Sequence, residues 1–159
     1  MYSRNDDLLI ALAVVAVWVM ILGVITTFLS AIARVLRRVE PENRRMGPGQ
    51  VWLNLIPVFN LVWVVVTVER VAESLRAEFA SRGLHGPDEH YGRRAGLRGL
   101  VLLAIGLVFL YLRRPPPAAV PTVGVLALIH AIVYWRQMTR YADRLKPGTY
   151  APPPTDEGW

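Results

Sequence analysis

The chain has 159 residues, 53% of them apolar before its 12 glycines are counted, and 18 basic against 12 acidic residues for a net charge of +6. Soluble domains reach about 45–50% apolar with glycine included, and here the excess is gathered into long runs, which argues against a water-soluble globule and against disorder over most of the chain. Cysteine is absent, which excludes disulfide scaffolds, thiolate metal centres, c-type haem attachment and thiol nucleophiles.

Leu8 to Leu29 is a run of 22 residues without a charge. As a helix it is about 33 Å long, enough for a hydrocarbon core of about 30 Å. Ala31-Ile32-Ala33 resembles a signal-peptidase motif. The apolar run is too long for a secretory leader, however, and Asp6 and Asp7 replace the expected positive flank, so the segment reads as an uncleaved membrane helix over 8–39. Arg34, Arg37 and Arg38 then fall where long side chains snorkel to head groups.

Residues 47–68, GPGQVWLNLIPVFNLVWVVVTV, are broken by Pro57, with Asn54 and Asn60 on either side of it and Trp52 and Trp63 beyond them. In a straight spanning helix Trp63 would lie about 16 Å from Trp52, near mid-membrane, whereas tryptophan favours interfaces. A hairpin folded at Pro57–Asn60 returns both rings to one interface and lets Asn60 cap the helix that follows. The second segment is therefore read as a hairpin over 48–82.

Charge separates this reading from its rival. With a re-entrant hairpin, one side of the membrane holds the five Arg of 34–45, the six of 70–98 and the four basic residues of 136–146, fifteen in all, against Arg4, Arg113 and Arg114. With four spans the split is eleven to seven. The positive-inside rule favours the first. The expected fold is thus an all-α membrane protein with three transmembrane helices plus a re-entrant hairpin at Pro57, the alternative being four transmembrane helices.

Beyond the hairpin, Val68, Ala72, Leu75 and Phe79 form one apolar stripe and Gly83 a helix stop. A third helix is expected over 97–113, with Gly92, Ala95, Gly96 and Gly99 serving either close helix packing or flexibility at its start. Pro115–Pro117 end it. A fourth follows over 118–145, with Tyr134, Trp135 and Arg136 as an interfacial belt and Met138, Tyr141 and Leu145 as a second stripe. Glu78 and Arg82 form an i,i+4 pair, and Glu69, Glu73 and Glu78 either face Arg136, Arg140 and Arg144 or belong, like them, to merely solvated helical faces. Residues 1–146 form one helical membrane domain, and 147–159 read as a disordered Pro-rich tail.

Catalytic signatures are missing. Ser30, the only serine in an apolar run, lacks nucleophile-elbow glycines, and neither a phosphate-binding loop nor a dinucleotide fingerprint occurs. His85-Gly86-Pro87-Asp88-Glu89-His90 matches no established zinc spacing and reads as a polar turn. No catalytic residue, metal or cofactor is expected. Asn54, Pro57, Asn60 and His130 form a candidate intramembrane polar site. Arg34, Arg37, Arg38, Arg44 and Arg45 are candidate contacts for anionic lipid, worth about 1 kcal/mol each at the surface. Arginine at helix ends is explained by the membrane, so nucleic acid is not an expected partner.

The segment P-E-N-R-R-M-G-P-G-Q-V-W-L-N-L-I-P-V-F-N-L-V-W (41–63), followed by V-E-R-V-A-E-S-L-R-A-E-F (68–79) and I-V-Y-W-R-Q-M-T-R-Y-A-D-R-L (132–145), resembles a group of small bacterial integral membrane proteins of unknown function. The resemblance covers about a third of the chain; it implies a bacterial inner-membrane location and four helical segments, and no activity. The expectation is a non-catalytic scaffold or accessory subunit, N-terminus outside and C-terminus cytoplasmic, with the bilayer and an unidentified membrane protein or a second copy as partners. A transport or permeation component using the broken middle segment is the alternative.

Overall fold

A computed structural model describes residues 4–56, 58–86, 89–112 and 116–146. Pro57 and the tail lie outside the described residues. Among the described residues the regular structure is helical: α1 (Arg4–Arg38), a 3₁₀ segment (Pro48–Leu55), α2 (Asn60–Ser81), α3 (Arg93–Tyr111) and α4 (Ala119–Arg144). Helices α1, α3 and α4 are long and apolar enough to cross a membrane, making this a multi-pass membrane protein.

The apolar run of α1 and its arginine-bearing continuation form one helix of 35 residues. At about 52 Å it exceeds any hydrocarbon core. Residues 6–27 are exposed on every side, whereas Leu29, Ile32, Val35, Leu36 and Val39 are buried. None of the other described residues covers the first half, and lipid is the solvent its composition demands. The second half packs on protein.

That packing sits at one end of the molecule. The stripe Val68, Ala72, Leu75 and Phe79 of α2 is its buried face, and Met138, Tyr141 and Leu145 of α4 meet it together with Val51 and Met46. Fully burying each such side chain stabilises by roughly 1.5–3 kcal/mol. Phe79, Tyr91 and Tyr141 form an aromatic triangle with centroids 5.4, 5.6 and 5.7 Å apart. Helix α2 stops as the sequence expects. Gly83, at φ +67°, leaves its N–H to donate to Ala80 while Leu84 N–H reaches back to the Phe79 carbonyl, so the last carbonyls are satisfied.

Close packing is what the structure assigns to two of the α3 glycines. A Cβ at Gly96 would come within 2.7 Å of Val68 Cγ1 and 3.1 Å of Tyr134 Cε2, and one at Gly99 within 3.3 Å of His130 Cβ. Tyr134 therefore departs from the expected belt: with room made at Gly96, it is buried against Phe28 and α3, while Trp135 and Arg136 stay exposed.

The chain folds back between the 3₁₀ segment and α2. Trp63 Nε1 donates to the Gln50 carbonyl at 2.9 Å, and Asn54 Nδ2 donates to Thr67 Oγ1 at 3.0 Å, so the two arms run side by side. The tip carries Leu55, Ile56, Val58 and Phe59, all exposed. Val58 is 81% exposed at φ +66°, a backbone region costly for a β-branched residue. Glycine or asparagine would suit that turn in water. Asn60 does not cap α2: Phe59 occupies the cap position without a side-chain bond, and the Asn60 N–H already donates to Ile56.

Candidate functional site

Two polar constellations stand out, one in the hairpin and one where α1, α2 and α4 converge. In the hairpin, Asn54 is 7% exposed and Thr67 1%. The Asn54 amide donates to both the Val51 carbonyl (2.8 Å) and Thr67, whose hydroxyl donates to the Trp63 carbonyl at 2.8 Å. One amide thus joins both arms and supplies an acceptor-rich backbone with donors. The Asn54 and Asn60 Oδ1 atoms are buried without hydrogen-bond partners.

Of the other candidates for this polar site, Pro57 lies outside the described residues. His130 sits on α4 against Gly99 of α3, and its Nδ1 bonds the Leu126 carbonyl at 2.9 Å. A carbonyl only accepts, so Nδ1 carries the hydrogen. None of the described hydrogen bonds joins His130 to Asn54 or Asn60. The Asn54 role predicts a ranking: Asn54→Leu strips donors from the Val51 carbonyl and should cost about 1–3 kcal/mol, whereas Asn60→Leu deletes an orphan acceptor and should cost less. Thermal unfolding of both variants in detergent checks the order.

The second constellation is a clasp. Glu78, with no exposed surface, accepts at Oε2 from the Glu40 N–H (3.0 Å) and Asn43 Nδ2 (2.8 Å), and at Oε1 from Arg82 Nε (2.8 Å) and Nη2 (2.5 Å). One turn earlier on α2, the buried Ser74 hydroxyl accepts from the Arg45 N–H at 2.8 Å and donates to the Arg70 carbonyl at 2.7 Å. The 40–46 turn is thereby tied to α2. On its other flank, Arg38 bonds the Ala142 carbonyl and lies 3.8 Å from Asp143. Sequence reading missed Ser74 and Asn43 as structural residues; at Glu78 it offers the i,i+4 pairing with Arg82, which forms, but not the burial or the reach to the 40–46 turn. The one available signal was a serine and a glutamate four apart on the polar margin of the α2 stripe.

The arginines therefore divide. Arg38 and Arg44 are partly buried, Arg44 Nη2 donating to the Val39 carbonyl at 2.8 Å, while Arg34, Arg37 and Arg45 have exposed side chains. The expected acidic-to-basic pairing of α2 with α4 does not form. Glu69 pairs with Arg93 at 2.6 Å, Arg144 pairs with Glu89 at 2.9 Å, and Glu78 turns inward. The apolar stripes bring the helices together by their buried faces, leaving those charges to find partners on α3 and the loop before it.

Beside the clasp, a cleft of about 450 Å³ opens between α2 and the 85–94 segment. Its floor is Tyr91, whose hydroxyl lies 2.8 Å from His85 Nδ1. Burial, reinforced by the Glu89 carboxylate, pushes the Tyr91 hydroxyl up to about 12, so it stays protonated near neutrality. No cluster of three or more His, Asp or Glu side chains able to hold a metal is found among the described residues. No family model, curated protein or solved structure matches this chain.

Proposed function

We propose that the protein is a non-catalytic scaffold or accessory subunit of the bacterial inner membrane, with three spanning helices and a hairpin that enters one leaflet from the cytoplasmic side. In this topology the N-terminus lies outside, and the clasped ends of α1, α2 and α4 form a cytoplasmic cap. The observation that carries the reading is the position of the core. Packing is concentrated at one end, where α1, α2 and α4 meet, while the first half of α1 is bare along its length.

The hairpin geometry supports the topology. From Val68 to Asn60 is about 12 Å of helix, less than half of a 30 Å core. The tip beyond it bears exposed apolar side chains, Leu55, Ile56, Val58 and Phe59, which suit contact with lipid rather than water. Fifteen of the basic residues then share the cytoplasm, as the positive-inside rule favours. Non-helical backbone at that depth needs internal partners, and the Asn54–Thr67 bond is one.

A permeation component would need spans packed around a polar path, whereas Asn54 and His130 are unconnected by hydrogen bonds. Reconstitution in liposomes tests the reading. Proton and potassium flux should equal that of protein-free vesicles. Flux above that level that falls in Asn54→Leu would overturn the scaffold.

A further inference from the structure

We propose that the cleft between α2 and the start of α3 binds a phosphate ester whose head group also carries a hydrogen-bond donor, presented either by a lipid of the adjoining leaflet or by a small solute. Of the charges lining it, Glu69 is neutralised by Arg93 and Glu89 by Arg144. Arg76, Arg94 and Glu73 remain exposed and without ion-pair partners among the described residues, with His85 and His90 beside them. Two free guanidiniums match a phosphate, and the free carboxylate matches an ammonium or hydroxyl attached to it.

The end of α3 adds to this. Helix N-termini favour anions, yet this one begins with Arg93 and Arg94, has no acidic residue in its first turn and no side-chain cap. The Arg93 N–H is taken by the His90 carbonyl and the Gly96 N–H by Gly92. An α-helix leaves the amides of its first turn without internal acceptors, and Arg94 of this turn lines the cleft. The helix dipole and the Arg76 and Arg94 guanidiniums thus bring positive potential to the cleft, where Glu69 and Glu89 are already ion-paired and Glu73 is the unpaired carboxylate among the described residues.

The cleft also lies at the right height, a point that rests on the topology proposed above. Gly96 is level with Val68 and Tyr134, and Trp135 and Arg136 follow at the interface. From Glu69 to Arg76 α2 advances about 10 Å away from the bilayer, which covers a head-group layer of about 5–7 Å.

The full-length protein is to be purified in detergent and exchanged into phosphatidylcholine nanodiscs doped with phosphatidylethanolamine, and lipid retained by the protein measured by native mass spectrometry. In parallel, sn-glycero-3-phosphoethanolamine is titrated calorimetrically into the detergent-solubilised protein. Binding should fall at least about tenfold in the Arg76→Gln/Arg94→Gln double variant and stay unchanged in Arg140→Gln, which alters an exposed arginine outside the cleft. Arg76→Lys/Arg94→Lys, which keeps the charge, should recover part of it. Loss on the lipid probe assigns a lipid head group. Loss on the soluble probe alone assigns a solute, and contradicts the head-group height while leaving the phosphate chemistry standing. Phosphatidylcholine retained as well as phosphatidylethanolamine would overturn the donor requirement. Absence of binding to both probes, or a double variant that binds as Arg140→Gln does, would overturn the site.

Discussion

Glu78→Ala is expected to be the most destabilising single substitution in the chain, at about 3 kcal/mol, or roughly a 10 °C fall in melting temperature. The carboxylate has no exposed surface and holds four donors. Removing it leaves the Glu40 N–H without an acceptor, the Asn43 amide with Ser81 alone and the Arg82 guanidinium without its counter-ion, and the 40–46 turn loses its Glu78 ties to α2 while keeping those to Ser74 and Ser81. Glu73→Ala, five residues earlier on an exposed position, should stay within about 0.5 kcal/mol of the wild type. Thermal unfolding of both variants in the same detergent measures the difference. Equal melting temperatures would mean that the clasp contributes nothing.

Glycine substitutions in α3 and α4 should separate packing from helix propensity by sign. A Cβ at Gly124 of α4 would meet nothing within 4 Å, so Gly124→Ala should gain up to about 1 kcal/mol from the lower entropy cost of alanine in a helix. At Gly96 of α3 the same atom would sit 2.7 Å from Val68 Cγ1 and 3.1 Å from the Tyr134 ring. Val68 and Tyr134 are 5% and 2% exposed and have little freedom to yield. Gly96→Val should therefore destabilise by about 1–3 kcal/mol through overpacking, despite any gain in propensity. The measurement is again the melting temperature, and a Gly96→Val protein as stable as the wild type would contradict the contact.

Period and hydrophobicity carry most of the architecture. The long runs of α1, α3 and α4 and the stripes ending in Phe79 and Leu145 depend only on which residues are apolar and how they are spaced, and the buried faces follow them. Helix α1 begins at Arg4 and ends at Arg38, against an expected 8–39, because the polar first turn still satisfies helical backbone geometry. The polar ties are less legible. Asn43 has the look of an ordinary loop residue, yet it bonds both Glu78 (2.8 Å) and Ser81 (3.1 Å), while Asn60, expected to be a cap, has an orphan oxygen. Such bonds link residues far apart in the chain, and no local pattern announces them. Tyr134 departs from expectation for a related reason: an aromatic beside tryptophan and arginine suits an interface, and only the space opposite Gly96 draws it inward.

The shared side of the α1, α2 and α4 ends is tested most directly by single cysteines in a chain that has none of its own. Glu42 and Arg140 are exposed on opposite flanks of the cap, and Pro116 is exposed in the link between α3 and α4. Glu42→Cys, Arg140→Cys and Pro116→Cys are each probed in intact cells with a thiol reagent that cannot cross the inner membrane. Positions 42 and 140 should react only after the membrane is breached, and position 116 at once. Labelling of position 42 in intact cells, with position 140 still protected, would place the two flanks of the clasp on opposite sides of the bilayer and contradict the hairpin.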